Sequence, residues 1–237
     1  MGENYLFIGD IAGQYKGLMR LLKKCPDFLP ICVGDMVDRG PDSKKVLNFF
    51  MKNGKSILGN HEHMLLDYGT YKYYDPGIWE SNGGNATLKN FKVKVKPDHN
   101  YIVDNEFKIK IPDNILTWLS SLPLYMEFEG EEGGEGKEMA FVSHAAKHPS
   151  YTLEECCDFV KTETFRCWHG LADYSIIWNR TPPKKMDNKF QIFGHNGFHC
   201  FVQDENLKDF AVCIDASRQK KLMAMVWPSR EIIQVEI

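Results

Sequence analysis

The 237-residue sequence has no apolar run long enough to span a membrane and no N-terminal signal pattern. Both absences predict a cytoplasmic chain with no membrane partner. It has no basic excess: 29 Lys and Arg stand against 32 Asp and Glu, a formal net charge of −3. That argues against an extended nucleic-acid surface, but not against a phosphorylated substrate, which needs only local positive charge. The seven cysteines (Cys25, Cys32, Cys156, Cys157, Cys167, Cys200, Cys213) are odd in number and show no C-x-x-C spacing. This argues against a disulfide framework or a zinc knot. No repeat of fixed period and no interdomain linker breaks the chain. Residues 1–237 therefore read as one domain, long enough to bury a core. Nothing in the sequence speaks to oligomeric state.

What is present is a regular alternation. Asn4–Ile8 is a strand candidate ending at Gly9-Asp10. Gln14–Lys24 carries Leu18, Leu21 and Leu22 at helical spacing. Leu29–Val33 reads as a second strand, and Asp42–Asn53 as a second helix with Pro41-Asp42-Ser43 as its start signal. Ser56–Leu58 reads as a third strand. Strand–helix–strand–helix–strand predicts parallel neighbours joined by right-handed crossovers. Ligands collect at the carboxyl ends of such strands, and Asp10, Asp35 and Asn60 fall there.

Beyond these, Glu62 to about Asp75 opens as a helix and breaks up in a Tyr-rich stretch (Tyr68, Tyr71, Tyr73, Tyr74) before Pro76-Gly77; a helix is expected over Ile115–Leu122 and a mostly helical insert over Leu153–Ala172. Tyr125–Phe128 opens a strand, and the acidic, Gly-rich Glu129–Glu138 reads as a solvated hairpin tip. Strands are then expected at Met139–Val142, Gln191–Phe193, Phe210–Ile214, Leu222–Val226 and Ile232–Val235, as a second sheet packed on the first.

Asp10, Asp35, Asp38, Arg39, Asn60, His61, His144, Arg180 and His195 gather at or near the ends of apolar runs. Carboxylate, amide and imidazole are donors that divalent metals take. Arginine's planar fork matches phosphate oxygens. A carboxylate shared by two ions about 3.5–4 Å apart lowers the pKa of a bridging water and orients a phosphate. A histidine backed by a carboxylate can protonate the leaving oxygen. For Arg180 the competing reading is a surface ion pair.

The motif set G-D-I-A-G-Q (9–14), G-D-M-V-D-R-G (34–40), G-N-H-E (59–62), S-H-A (143–145) and G-H-N (194–196) resembles the phosphoprotein phosphatase family of metallophosphoesterases. Supporting stretches are H-E-H-M after Asn60, W-x-x-N-G-G at Trp79–Gly84, S-L-P-L near Leu122, I-W-N-R at 177–180 and C-I-D-A near the end. They resemble the bacterial and bacteriophage lambda phosphatase branch, over nearly the whole chain. The resemblance implies an α/β, calcineurin-like fold: two mixed β-sheets in a sandwich flanked by helices. It implies that Asp35 bridges two divalent ions, with Mn2+ expected and Fe or Zn chemically allowed. Asp10 would bind the first ion, and Asn60, His144 and His195 would complete the second. His61 would be the general acid held by Asp38, with Arg39 and Arg180 gripping phosphate.

One position departs. The family's first motif is G-D-x-H-G, whose histidine binds the first metal, and this chain has Ala12 there. Alanine offers no donor, so the first site is expected to be weakened. Three accounts compete: a deliberate change giving an inactive, substrate-holding form; a natural member with a weak first site; or a binding protein on this fold. The other site residues are intact, which favours the first.

The leading expectation is a hydrolase of phosphomonoesters, serine/threonine-phosphatase-like. One alternative is a nucleotide anhydride hydrolase, acting on diadenosine tetraphosphate or capped RNA ends. The other is a non-catalytic phosphate-ligand binder. A nucleotide would need a base pocket and more positive charge. Tyr68–Tyr74, Trp79 and Lys89–Lys96 are candidates, although core and solvent face is their favoured reading.

Overall fold

The computed structural model describes residues 4–70, 76–92, 111–133, 136–161 and 170–237. Among the described residues ten strands form two five-stranded mixed sheets. In the first sheet, β1 (Tyr5–Ile8), β2 (Leu29–Cys32) and β3 (Lys55–Ser56) run parallel, as their helical crossovers require. The crossovers are α1 (Tyr15–Leu22) and α2 (Ser43–Asn53). Helix α3 (Asn60–Thr70) follows β3, then come α4 (Pro76–Ser81), α5 (Gly84–Asn90) and α6 (Asp113–Ser120).

The second sheet has β4 (Tyr125–Gly133), β5 (Gly136–Ser143), β6 (Lys189–Phe193), β8 (Asp209–Cys213) and β7 (Cys200–Gln203), in that order. Strands β5, β6 and β8 are parallel. Pairing of β4 with β5 extends to Gly133 and Gly136, so the acidic stretch does form a hairpin.

Side-chain alternation sets the layers. On β1, Phe7 faces the second sheet with Ile31, Val142, Ile192, Val212 and Trp227, while Leu6 and Ile8 face the helices with Leu18, Val46, Phe50 and Leu65. Each fully buried side chain of this size contributes about 1.5–3 kcal/mol. A smaller cluster of Phe141, Cys156, Val160, Ile176 and Ile177 covers the outer face of the second sheet.

Two expectations need correction. The last two strands, β9 (Lys221–Trp227) and β10 (Ile232–Glu236), belong to the first sheet, antiparallel beside β1, with Tyr5 opposite Trp227. Strand β9 is apolar on both faces, and such a strand lies central in a sheet without revealing which one. The edge strand β7 carries no alternation and was not expected. The insert after Thr152, expected to be mostly helical, is helical in short pieces over its described residues, with 162–169 outside them. It holds α7 (Leu153–Asp158) and two short 3-10 turns, Phe159–Lys161 and Leu171–Tyr174. Tyr71, Tyr73, Tyr74, Cys167 and the lysine-rich 93–110 lie outside the described residues. Among the described residues six cysteines are free thiols, and no helix is long and apolar enough to cross a membrane.

Candidate functional site

The parallel strands of both sheets end on one side, and each delivers a polar residue there. Asp10 follows β1, Asp35 follows β2, and Asn60 opens α3 just beyond β3. From the second sheet His144 follows β5, His195 follows β6 and Asp215 follows β8. All six are buried. The loops are tight, and Ala12, Asp35, Asp38, Arg39 and His195 take positive φ of 47–71°. Non-glycine residues hold that conformation only where the surroundings enforce it. Gly34, at φ 98°, and Gly59 allow the close approach: a Cβ on Gly34 would lie 2.6 Å from His144 Nδ1, and one on Gly59 2.4 Å from Asp35 Oδ1.

Both histidines have their tautomer fixed by backbone. His144 Nδ1 donates to the Val33 carbonyl at 2.9 Å, leaving Nε2 2.8 Å from Asn60 Oδ1 and 3.3 Å from Asp35 Oδ1. His195 Nε2 donates to the Trp178 carbonyl at 3.1 Å, leaving Nδ1 3.0 Å from Asn60 Oδ1. Burial holds both imidazoles below their ordinary pKa, hence neutral and able to ligate. The ligand atoms of Asp35, His144 and His195 lie within 4.8 Å of one another. Two imidazole nitrogens, a carboxylate and an amide oxygen fit one divalent transition-metal ion.

A neighbouring ion would find fewer donors. Asp10 offers its carboxylate, with one oxygen accepting from the His195 amide at 3.1 Å. Burial pushes the Asp10 carboxyl well above the usual range, and the charges of Asp215 and Asp35 add to this. Such crowding favours a cation. Ala12, however, contributes only backbone: its N–H donates to Asp35 O, and its carbonyl accepts from Gly40. Gln14, two residues on, sits at the N-cap of α1.

Beside the donors lies an acid pair. His61 Nδ1 is 2.5 Å from Asp38 Oδ2. Burial lowers the His61 pKa, but Asp35 and Asp38 outweigh it and leave it raised. Asp35 goes the other way: burial raises its carboxyl, yet His144, His61 and His195 bring it to about 2. Arg39 Nη2 approaches His61 Nε2 at 3.1 Å. Arg180 Nη1 donates to the His195 carbonyl at 3.2 Å and has no ion pair among the described residues. Thus all nine predicted residues are brought to one rim.

Sequence reasoning missed the residues that hold these in place. Glu62, fully buried, accepts from the amides of Asp35, Met36, Val37 and Gly59 at 2.7–3.2 Å, and so shapes the loop after β2. Trp79, a base-pocket candidate from sequence, is fully buried, in keeping with the core reading, and supports the acid pair. Trp79 Nε1 donates to Asp38 Oδ2 at 2.7 Å, Thr87 Oγ1 to Asp38 Oδ1 at 2.6 Å, and the Gly83 carbonyl accepts from the Arg39 amide. Asp215, within C-I-D-A, accepts from the Gly197 and Ser217 amides. For Thr87 and Asp215 the available signal was a polar side chain between apolar neighbours.

The profile of the calcineurin-like phosphoesterase family matches residues 4–211. A curated relative, the symmetrical bis(5'-nucleosyl)-tetraphosphatase of Shewanella sp. (strain W3-18-1), is 30% identical over 232 aligned positions. The match covers 86% of this chain and 74% of that protein. The enzyme of the same name from Buchnera aphidicola is 27% identical, over 82% of this chain and 63% of its own length. A crystal structure of a candidate diadenosine tetraphosphatase superposes with a TM-score of 0.59 at 23% identity, over 99% of this chain and 93% of that one. At that identity the superposition speaks for the fold alone.

Proposed function

The chain belongs to the calcineurin-like phosphoesterase family of metal-dependent hydrolases, and from that premise we propose that it cleaves dinucleoside polyphosphates such as diadenosine tetraphosphate. The observation that carries the hydrolytic reading is the convergence of Asp35, Asn60, His144 and His195 beside the Asp38–His61 pair. The activity for which the relatives are named supports the nucleotide substrate, the alternative to the phosphomonoester expectation. The likeness to the phage phosphatase branch rests on motifs alone, and the relatives give it no support.

Asp35, Asn60, His144 and His195 would hold one divalent ion, and Asp10 with Asp35 a second, more weakly held for want of a histidine at position 12. Bound ions would polarise a phosphoryl oxygen and supply hydroxide from water near neutral pH; Mn2+ is our expectation. Arg39 and Arg180 grip the phosphoryl group, their exposed guanidinium groups bracketing the buried donors. Phosphate would draw Arg39 off His61 Nε2. His61, with Asp38 behind Nδ1, then delivers the proton to the leaving oxygen. We place this chemistry in one cytoplasmic domain.

Assays with added manganese on a chromogenic monoester, a phosphopeptide and diadenosine tetraphosphate test the proposal. The expected result is ADP from the dinucleotide at the highest kcat/KM. Turnover of the monoester or phosphopeptide with none of the dinucleotide would overturn it and favour the phosphomonoesterase reading.

A further inference from the structure

Next to the His195 loop lies a cationic and aromatic edge that the hydrolytic site does not use. Arg218 sits in a short 3-10 turn, Ser217–Gln219, just after β8. Its side chain crosses Gly197, where a Cβ would lie 2.8–2.9 Å from Arg218 Cδ, Cγ and Nε. Gly197, at φ 82°, therefore leaves the room this arginine occupies. The guanidinium carbon is 5.4 Å from the centroid of the Phe198 ring, and Phe198 is 50% exposed.

The edge is built rather than loose. Asp215 accepts from the Gly197 amide with one oxygen and from the Ser217 amide with the other, tying the two loops together. Arg218 N donates to the Gly197 carbonyl as well. Arg180 Nη1 meets the carbonyl of His195, two residues before Gly197, so both arginines border one loop. Neither arginine has an ion pair among the described residues. Two guanidinium groups bordering one loop suit a ligand that carries more than one phosphate group. A ring stacked on one of them and open to solvent offers a face to a planar base.

From this we infer that Arg218 and Phe198 form a second subsite. Arg218 holds the phosphate groups beyond the scissile one, and Phe198 stacks the nucleobase of the same substrate. The inference rests on the dinucleotide reading above and gives that reading its recognition elements.

The test measures Kd on the manganese-loaded chain, with Arg218→Ala and Phe198→Ala alongside. One probe is the diadenosine tetraphosphate analogue with methylene for the central bridging oxygen, and the other is orthophosphate. Each variant is expected to weaken the analogue by about fivefold or more, with orthophosphate unchanged. Unaltered analogue binding in both variants would overturn the subsite while leaving the dinucleotide reading standing. An equal loss for orthophosphate would overturn it too, by placing the residues in the scissile-phosphate grip. A parent chain that binds orthophosphate but not the analogue would sink both the reading and the subsite.

Discussion

Thr87→Val isolates what holds the acid pair. Asp38 is fully buried, so its charge depends on donors: His61 Nδ1 and Trp79 Nε1 on one oxygen, Thr87 Oγ1 at 2.6 Å on the other. Valine keeps the shape of threonine and removes only the hydroxyl. A hydrogen bond to a charged group contributes about 1.5–3 kcal/mol. The Asp38 amide loses Thr87 Oγ1 as acceptor but keeps Ser43 Oγ at 3.1 Å, while the buried Ser43 hydroxyl loses its own 3.1 Å contact with Thr87 Oγ1. The loss should therefore be about 2 kcal/mol. For a chain of this size that lowers Tm by about 4–8 °C. A second effect separates this from a general packing defect. With one neutral donor gone, Asp38 leans harder on His61, and the imidazolium is further favoured. The His61 pKa, already raised, should rise again in an NMR titration of the metal-free chain. A variant that melts with the parent and titrates His61 at the same pH would refute the account, because Thr87 would then hold nothing.

Other outcomes follow from the same geometry. Ala12→His should raise bound manganese from about one ion per chain toward two and raise turnover; histidine tolerates the positive φ at that position, and no gain in either would clear Ala12 as the lesion. His61→Gln should lower kcat by about 10²–10⁴-fold with a smaller change in KM; an unchanged kcat would remove His61 from the acid role. Burial and Asp35 push the Glu62 carboxyl up to about 8, against four amide donors, and His61 is also raised. A raised folded-state pKa means protons held more tightly when folded, so this stability is present at low pH and lost on titration through the folded pKa. Because His144 and His195, held below their ordinary pKa, gain stability over the same interval, the Glu62 contribution is read as a difference: between pH 6 and pH 8 the Tm of the metal-free Glu62→Gln chain should fall less, or rise more, than the parent's, and an identical change would contradict the assignment. Gly59→Ala should destabilise strongly, since its Cβ would lie 2.4 Å from the Asp35 amide nitrogen as well as the carboxylate; a chemical denaturation curve matching the parent would show that the loop can shift.

Local patterning alone determined much of this protein. The alternation over residues 5–58 marked three parallel strands, because each short apolar run ends at a glycine and is followed by an amphipathic helix. The nine polar residues after apolar runs were legible singly, since a buried-type segment that ends in a ligand-type side chain is a local signal. Which sheet β9 and β10 join was not legible: a strand apolar on both faces fits equally well in either. Nor were the supports. Glu62, Trp79, Thr87 and Asp215 act on residues 18 to 49 positions away, through contacts that exist only once the loops meet. The tautomers of His144 and His195 were likewise decided by carbonyls at Val33 and Trp178, which no spacing along the chain connects to them. Sequence fixes the chemistry available to a site. Direction, charge state and room are set by what the fold places across from each group.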